Sequence, residues 1–302
     1  MSRIDESRYP GAHELARETG IAPERLIEAF EVEQEFHAQV MAEKDPAARR
    51  ALYGEVYPKV HAIYGQRPAD PDAPNPKDPF VRLFARELKG KSVLEVGCGA
   101  GAFLLSVARQ LDASDRGELV GLDVSEASFP SHPSVRFVAG DVIEFRPEQL
   151  GREDFDLVYS DNVLEHLAPQ DRDAHFDSIE RVLRPGGRLI LLLPNRLFGP
   201  TDVTRVLDCS YSNRVPSQGT HLTESTYSEL VPYLRRRGYT KLRTVLPVPG
   251  LKDRLPFRHL RFSPRWFQAI EQSPRALGLM HRVRWKGKCM ARFGVTLLAT
   301  RS

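Results

Sequence analysis

The chain has 302 residues, of which 41% are apolar, 27% charged and 9% aromatic, as is typical of a globular protein with a sizeable core. A formal net charge of +3 is too small to indicate a dedicated nucleic-acid binder. Cys98, Cys209 and Cys289 are too scattered for a disulfide framework or a paired-cysteine zinc site. The first residues lack a secretory-signal pattern, and no apolar run approaches the roughly 18 residues of a bilayer crossing, so we expect a cytoplasmic protein.

The first 67 residues are predicted to be helical, because apolar positions recur at intervals of three and four. The clearest helix starts near Pro46 and carries an aromatic stripe of Tyr53, Tyr57 and Tyr64. Packing against the rest of the protein is the simpler explanation of this stripe, and ligand contact is the alternative. The helical extension fits either a lid or a dimerisation surface. Five prolines between residues 67 and 79 then predict an extended tether, which closes a first unit of residues 1–79.

From Phe80 onward, short apolar runs alternate with helical patterns, which predicts a parallel, doubly wound sheet covered by helices on both faces. The expected fold is a three-layer, Rossmann-like α/β core over residues 80–248, completed by a final strand within residues 293–302. The predicted strands are Ser92–Val96, Glu118–Leu122, Val135–Ala139, Phe155–Tyr159, Arg188–Leu193, Leu242–Leu246 and Phe293–Ala299.

Residues 249–292 interrupt this alternation before the last strand. They hold eleven lysines and arginines against Asp253 and Glu271, interleaved with aromatic and aliphatic residues. The simpler interpretation is a solvated lid over the substrate site. The alternative is a docking patch for an anionic or membrane-linked substrate, with contact to a membrane surface.

The most informative stretch is VLEVGCGAG, residues 93–101, where an apolar strand runs into Gly97, Gly99 and Gly101 before an apolar helix. Such glycines permit a tight turn and let the backbone approach a ligand closely, which indicates a nucleotide-cofactor loop. Taken alone, the loop also fits a dinucleotide-binding pattern with Asp123 as the ribose acid. A NAD-dependent oxidoreductase is therefore an alternative at this point.

Further motifs follow in a fixed order: GLDVS after the second strand, AGDVIEF after the third, FDLVYSDNVLEHL at the fourth and RVLRPGGRLILLLPN at the fifth. Together they resemble the class I SAM-dependent methyltransferases, particularly the branch that methylates small molecules. The resemblance covers residues 80–248 and the last strand, and it implies S-adenosyl-L-methionine as cofactor. By this resemblance the cofactor-binding residues are Glu95, Gly97, Cys98, Gly99 and Gly101 for the methionine, Asp123 and Val124 for the ribose, Asp141 and Val142 for the adenine, and Ser160 and Asp161 near the methyl group.

A hydroxyl acceptor must lose a proton during methyl transfer, which calls for a base or a metal ion. His166, just past the fourth strand, is the candidate base, and His221 follows the fifth strand. Glu165, His166 and His221 resemble the E-x-x-E-H motif and later histidine that bind a divalent metal in ubiquinone-pathway O-methyltransferases and small-RNA 2′-O-methyltransferases. Asn162 occupies the first acidic position, which weakens the set, although an amide oxygen still coordinates a hard cation such as Mg²⁺. A metal site, His166 as an unassisted base, and a purely structural role all remain open.

The expected function is SAM-dependent O-methylation of a small metabolite, sugar or natural-product intermediate, without a nucleic-acid partner. An RNA or protein acceptor, the NAD-dependent oxidoreductase and a noncatalytic SAM-binding subunit are the alternatives.

Overall fold

The computed structural model describes residues 7–64, 75–126, 129–245 and 260–302. Three helices come first, α1 (Ala12–Thr19), α2 (Pro23–Ala42) and α3 (Pro46–Tyr64). The apolar sides of α2 and α3 belong to the same hydrophobic cluster as one face of the central sheet, through side chains such as Phe36, Val40 and Val56. The amino-terminal helices therefore pack directly on the core.

Seven strands form the central sheet in the order β3-β2-β1-β4-β5-β9-β6. The first five are parallel, whereas β9 runs antiparallel to both of its neighbours. Successive residues of β1 enter different apolar clusters, Val93 on one face and Leu94 on the other, so the sheet is buried on both faces as a three-layer fold requires. The strands are β1 (Val93–Val96), β2 (Leu119–Asp123), β3 (Arg136–Ala139), β4 (Phe155–Asp161), β5 (Leu183–Leu193), β6 (Tyr239–Arg243) and β9 (Val295–Arg301).

Of the helices of the core, the first two precede β1 and the others connect strands of the sheet. The core helices are α4 (Asp78–Leu83), α5 (Ala85–Leu88), α6 (Ala102–Gln110), α7 (Pro147–Leu150), α8 (Arg172–Val182) and α9 (Tyr227–Arg236). None of the helices in the described ranges combines the length and apolar character that crossing a membrane demands.

Most strand boundaries lie within two residues of the sequence expectations, and three differences are larger. Helix α4 begins at Asp78, inside the segment expected to be extended, because a proline such as Pro79 is tolerated in a first helical turn; residues 65–74 lie outside the described residues. Strand β5 starts at Leu183, five residues before its predicted start, and a bulge in its pairing with β4 accommodates the Pro-Gly-Gly sequence. Strand β6 starts at Tyr239, directly after Gly238, and Leu246 of the predicted strand lies outside the description.

Residues 260–292 fold into α10 (Arg265–Glu271), α11 (Pro274–Arg282) and a two-stranded ribbon of β7 (Arg284–Trp285) and β8 (Lys288–Cys289). Residues 249–259 of the predicted insertion lie outside the described residues. Phe267 of α10 stacks on Tyr227 of α9, with ring centroids 5.1 Å apart. His281 Nε2 lies 2.9 Å from the carbonyl oxygen of Leu197, just beyond β5. The insertion is thus attached near the carboxyl end of β5.

Candidate functional site

The glycine loop between β1 and α6 is tightly packed. Gly97 and Gly101 have φ angles of 73° and 70°, a region that L side chains rarely adopt. A Cβ atom on Gly97 would stand 2.2 Å from Val163, and one on Gly101 would stand 2.4 Å from Phe137. Glycine is therefore required at both positions by backbone conformation and by space. Next to Gly99, by contrast, no described heavy atom lies within 4 Å of such a Cβ, so the loop is open there.

Most N–H groups of this loop are engaged within the protein. Those of Gly97 and Cys98 donate to the carbonyl oxygen of Leu122 at the end of β2, and that of Gly101 donates to Cys98. The N–H of Gly99 donates to Asp123 Oδ2 over 2.8 Å. The loop therefore holds Asp123, the candidate ribose acid, and offers a ligand its open side rather than these four N–H groups.

A group of acidic side chains lies at the carboxyl ends of β1 and β4. Glu95 is buried, and its Oε2 has no hydrogen-bond partner within the described structure. Burial raises the pKa of Glu95 well above its ordinary value, and the nearby Asp161 adds to the effect. Asp161 accepts hydrogen bonds from Lys77 Nζ and the Tyr159 hydroxyl, each over 2.7 Å. Ser160, which lies between Tyr159 and Asp161 in β4, is buried.

Lys77 and Tyr159 were not expected as site residues. Lys77 comes from the proline-rich segment, whose end is fixed against α6 by a hydrogen bond from Asn75 Nδ2 to the carbonyl oxygen of Ala102. Proline content predicted an extended backbone, whereas the described end of this segment is a turn that leads into α4, and nothing local to the sequence indicated where it would dock.

A cavity of about 1000 Å³ opens at the carboxyl edge of the sheet. Of the residues that the sequence singled out, eight line it, namely Gly97, Gly99, Asp123, Val124, Asp141, Val142, Asn162 and His166. Seven others do not, namely Glu95, Cys98, Gly101, Ser160, Asp161, Glu165 and His221. None of the described residues of the insertion, 260–292, is part of the wall. The expected lid over the site is therefore not provided by that part of the insertion.

The cover comes from α3 instead, which contributes Arg50, Tyr53, Gly54, Tyr57, Pro58 and Ala62 to the wall. The Tyr53 hydroxyl accepts a hydrogen bond from the N–H of Ala168 over 2.9 Å, and the ring of Tyr57 stands edge-on to that of His166. Tyr64, the third member of the stripe, donates to Glu33. The aromatic stripe thus divides between residues that line the cavity and one that packs elsewhere.

Two arginines of α3 meet the core. Arg49 is buried and forms a two-pronged ion pair with Asp171, which follows the turn that carries His166. Arg50 lies 2.8 Å from Glu144 and 3.6 Å from Asp141, the candidate adenine acid, whose Oδ1 accepts the N–H of Ile143. These partners lie about 90 to 120 residues away in sequence, so the sequence offered no signal for them.

Glu165, His166 and His221 come together as the sequence suggested. One ligand atom of each lies within 4.8 Å of the others, and the two imidazole rings are nearly perpendicular with centroids 4.7 Å apart. His166 Nδ1 lies 3.1 Å from the carbonyl oxygen of Thr220, so it carries the proton and leaves Nε2 as an acceptor. His221 Nδ1 donates to Glu224 Oε1 over 2.9 Å. Both rings are thus anchored through Nδ1, which leaves Nε2 of each ring, when it carries no proton, as the nitrogen for a ligand.

The protonation of this group follows from its burial. Burial raises the pKa of Glu165 to about 8, and neither of its oxygens has a hydrogen-bond partner in the described ranges. Burial and the neighbouring His221 lower the pKa of His166 to about 3, so His166 is neutral at pH 7. Burial also lowers the pKa of His221, but the hydrogen bond to Glu224 and the nearby carboxylates outweigh it and raise the pKa to about 9.

Comparison with known proteins places this site in a family. Residues 94–189 match the model of a methyltransferase domain. The chain is 32% identical to a carboxy-S-adenosyl-L-methionine synthase of Shewanella oneidensis over 188 residues, 59% of this chain and 72% of that protein. It is 34% identical to a ubiquinone biosynthesis O-methyltransferase of Rhizobium rhizogenes, covering 37% of this chain and 44% of the relative. A ribosomal RNA large subunit methyltransferase E of Desulfatibacillum aliphaticivorans is 32% identical, covering 33% of this chain and 53% of the relative.

The last two matches span only about half the length of those relatives. Among solved structures, the CurJ carbon methyltransferase superposes over the whole of this chain and 72% of its own, with a TM-score of 0.50 and 14% identity, a likeness of fold. The family match decides between the two cofactors that the glycine loop left open, in favour of S-adenosyl-L-methionine. With its sheet order, its glycine loop and these relatives, the chain belongs to the class I SAM-dependent methyltransferases.

Proposed function

We propose that this chain transfers the methyl group of SAM to a hydroxyl of a small molecule, with a divalent cation held by Glu165, His166 and His221. The observation that carries the proposal is the position of His166. It lines the cavity that also contains Gly99 and Asp123, and it connects that cavity to the two other candidate ligands behind it. Cofactor and acceptor would thus share one enclosed space beside an imidazole.

Side chains that line the cavity, together with Glu95, Asp161 and Lys77 outside its wall, suit SAM. The unpartnered Oε2 of Glu95, described above, and the carboxylate of Asp161 are acceptors suited to the ammonium of a methionine. Lys77, 2.7 Å from Asp161, supplies a cation that suits the methionine carboxylate. Asp123, oriented by the N–H of Gly99, suits two ribose hydroxyls. We assign the adenine to the pocket between Asp141, Val142 and α3.

The three candidate ligands fit a divalent cation. A buried carboxylate whose two oxygens both lack hydrogen-bond donors is costly unless a cation or proton compensates it. Both imidazoles are oriented through Nδ1, the arrangement that fixes Nε2 for coordination. A bound divalent cation would lower the pKa of an acceptor hydroxyl. Asn162, which lines the cavity in a left-handed backbone conformation, is the candidate for a further, neutral ligand.

The remaining residues position the reactants and keep out water. Methyl transfer is an in-line displacement, so alignment of the acceptor oxygen with the methyl group is the main requirement. The apolar surfaces of Tyr57, Pro58 and Leu167 line the cavity around His166. Neutral His166 holds an acceptor nitrogen at this point, which suits it to bind a cation, whereas its lowered pKa makes it a weak base for the hydroxyl proton when no cation is bound.

A small acceptor fits this site better than a macromolecule. The cavity volume of about 1000 Å³ is at the upper end of ligand pockets, and α3 covers it. The resemblance to an rRNA methyltransferase is the observation that favours an RNA hydroxyl as the second candidate. Structured RNA in place of small molecules is therefore included as an arm of the test.

The test is a turnover assay that measures S-adenosylhomocysteine with a panel of phenols, catechols and sugars, and separately with ribosomal RNA. We expect turnover with a small hydroxyl compound, loss of turnover with a chelator, and recovery with Mg²⁺ or Mn²⁺. His166→Ala and Glu165→Gln should abolish turnover while SAM affinity, measured by calorimetry, is retained.

His13→Ala, which removes an exposed histidine of α1 far from the cavity in sequence, is the matched control and should keep wild-type turnover. Turnover that is unaffected by chelation would contradict the metal and leave His166 as the base. Full activity of His166→Ala would contradict both roles, and turnover with RNA alone would contradict the small acceptor.

A further inference from the structure

One surface of the chain is both apolar and basic, although neither the fold nor the cavity uses it. It consists of Leu279, Val283, Trp285 and Met290, flanked by Arg275, Arg282 and Lys286, and we call it the α11–ribbon surface. The four apolar side chains are 66%, 48%, 67% and 50% exposed, respectively. Large apolar side chains gathered in this way usually mark an interaction site.

Four of these residues lie on one side of α11 or at its end, and the others follow in the adjoining ribbon. Positions 275, 279, 282 and 283 follow the helical spacing of a single side of α11, and all four are exposed. On the opposite side, Leu277 and Met280 pack against the hydrophobic core. The N–H of Met290 donates to the carbonyl oxygen of Val283 over 2.8 Å, which places Met290 beside the end of the helix. Trp285 follows in β7.

The basic side chains that flank this surface are unpaired among the described residues, whereas Lys288 of the adjoining β8 pairs with Glu14 and Glu18 of α1. Arg275, Arg282 and Lys286 are exposed and form no ion pair with any described residue. Within residues 260–292 the sole acidic residue is Glu271. It is buried, where it accepts hydrogen bonds from Asn195 Nδ2 and from the N–H groups of Tyr227 and Ser228. No carboxylate of this segment therefore neutralises the surface.

We propose that the α11–ribbon surface docks on an anionic lipid bilayer. Its apolar side chains would enter the boundary between headgroups and acyl chains, while its arginines and lysine contact lipid phosphates, the arrangement of interfacial helices. The apolar members favour lipid over RNA, because three of the four are aliphatic and have no ring on which a base could stack.

The surface is attached at the same edge of the sheet as the cavity. The ribbon is attached through the N–H of Cys289, which donates to the carbonyl oxygen of Ser210 over 2.9 Å, and α11 through His281 and Leu197 beyond β5. Both attachments follow the carboxyl end of β5, the edge on which the cavity opens. Docking would bring this edge towards the membrane, whatever the acceptor is.

Intrinsic fluorescence offers a direct test, because Trp266 and Trp285 are the two tryptophans of the chain. In the variant Trp266→Phe, emission reports Trp285 alone. On addition of phosphatidylcholine vesicles that contain phosphatidylglycerol, we expect a blue shift, quenching by brominated acyl chains, and flotation of the protein with the vesicles. Pure phosphatidylcholine vesicles should give a much weaker response, and added salt should reduce binding.

Each basic residue contributes ~1 kcal/mol to binding at an anionic surface. Leu279→Glu and the pair Arg282→Glu/Lys286→Glu should therefore weaken vesicle binding by about tenfold or more. Met41→Glu, which changes an exposed apolar residue of α2, is the matched control and should bind as the wild type does. SAM affinity should be the same in all variants, which separates this proposal from the proposed function.

Three outcomes would overturn the proposal: no flotation of the wild-type chain, an unshifted Trp285 emission in bound protein, or equal loss of binding in Met41→Glu. Saturable binding of RNA in place of vesicles would assign the surface to a nucleic acid. Concentration-dependent dimerisation abolished by Leu279→Glu would assign it to a second copy of the chain.

Discussion

Glu33 in α2 holds Thr220, which lies 187 residues away and directly precedes His221. Its Oε2 accepts both the N–H and the hydroxyl of Thr220, over 2.9 and 3.0 Å, and its Oε1 accepts the hydroxyl of Tyr64. The carbonyl oxygen of the same Thr220 orients His166. An amino-terminal helix thus fixes the segment on which both candidate metal-binding histidines depend.

We expect Glu33→Gln to loosen this segment, because an amide presents one acceptor oxygen where the carboxylate serves three donors. Loss of such buried hydrogen bonds costs about 1–3 kcal/mol. Affinity for Mn²⁺ and kcat should fall, while the affinity for SAM is unchanged. Calorimetry and steady-state kinetics measure these quantities. Glu35→Gln, an exposed change on the same helix, is the control, and a parallel loss of SAM affinity in Glu33→Gln would contradict a role confined to the histidine segment.

Asp123→Asn should weaken SAM binding by about 10- to 100-fold, the range that corresponds to a charge-assisted hydrogen bond of ~1.5–3 kcal/mol. The carboxylate accepts the N–H groups of Gly99 and Ser125 with different oxygens, so an amide both loses the charge and mismatches one donor. Titration calorimetry gives the affinity directly. Asp154→Asn alters an exposed aspartate before β4 and should bind SAM normally; equal affinities in the two variants would refute the assignment of Asp123.

The ion pair between Arg49 and Asp171 should be a large contributor to the attachment of α3. Arg49→Met leaves the buried carboxylate of Asp171 without its partner, and we expect a loss of about 3–5 kcal/mol in the free energy of unfolding. The double variant Arg49→Met/Asp171→Asn should recover part of this loss, since no charge then remains buried. Urea denaturation measures both, with Arg17→Ala on the exposed face of α1 as control. A double variant less stable than Arg49→Met would contradict the argument.

Stability should depend on pH through His175, which is buried in α8. Burial lowers its pKa from 6.5 to about 4, against a smaller opposing effect of its hydrogen bond to the carbonyl oxygen of Val142. Between these two pH values the unfolded chain binds a proton that the folded chain does not. Stability is therefore lost as the pH falls from 6.5 towards 4, by at most ~1.4 kcal/mol per pH unit.

His175→Gln removes this titration while retaining a donor for Val142. The difference in unfolding free energy between wild type and variant, measured at several pH values, should change between pH 6.5 and 4 and be constant above that range. A difference that does not vary with pH would show that the pKa of His175 is the same in the folded and unfolded states.

The parallel strands and the glycine loop were predictable because their signals are local. Residues 93–101 combine a buried strand, three closely spaced glycines and a helix start, and each property is visible in a few consecutive residues. The proximity of Glu165, His166 and His221 was predictable because a family resemblance relates them. The small boundary errors also arise because sequence signals are local. At Asp78, for example, the proline that follows was interpreted as a helix breaker, although it occupies the first turn of α4.

Contacts between distant segments were not predictable in the same way. The aromatic stripe of α3 indicates that one side of the helix is buried, but helical periodicity does not identify the surface that this side packs against. The assignment of Tyr53 and Tyr57 to the cavity wall therefore needed the structure. Lys77, Arg50 and Glu33 were missed for the same reason, since each acquires its role only from a partner far along the chain.

The position of β9 between β5 and β6 has a consequence for the order in which the protein forms. Strand β6 pairs with β9 in the sheet, yet some fifty residues of chain separate them, and β9 is made after every other strand. On the ribosome, one long edge of β5 therefore stays open until residues 295–301 emerge. We expect nascent chains halted before that point to leave β6 undocked and to present β5 to chaperones.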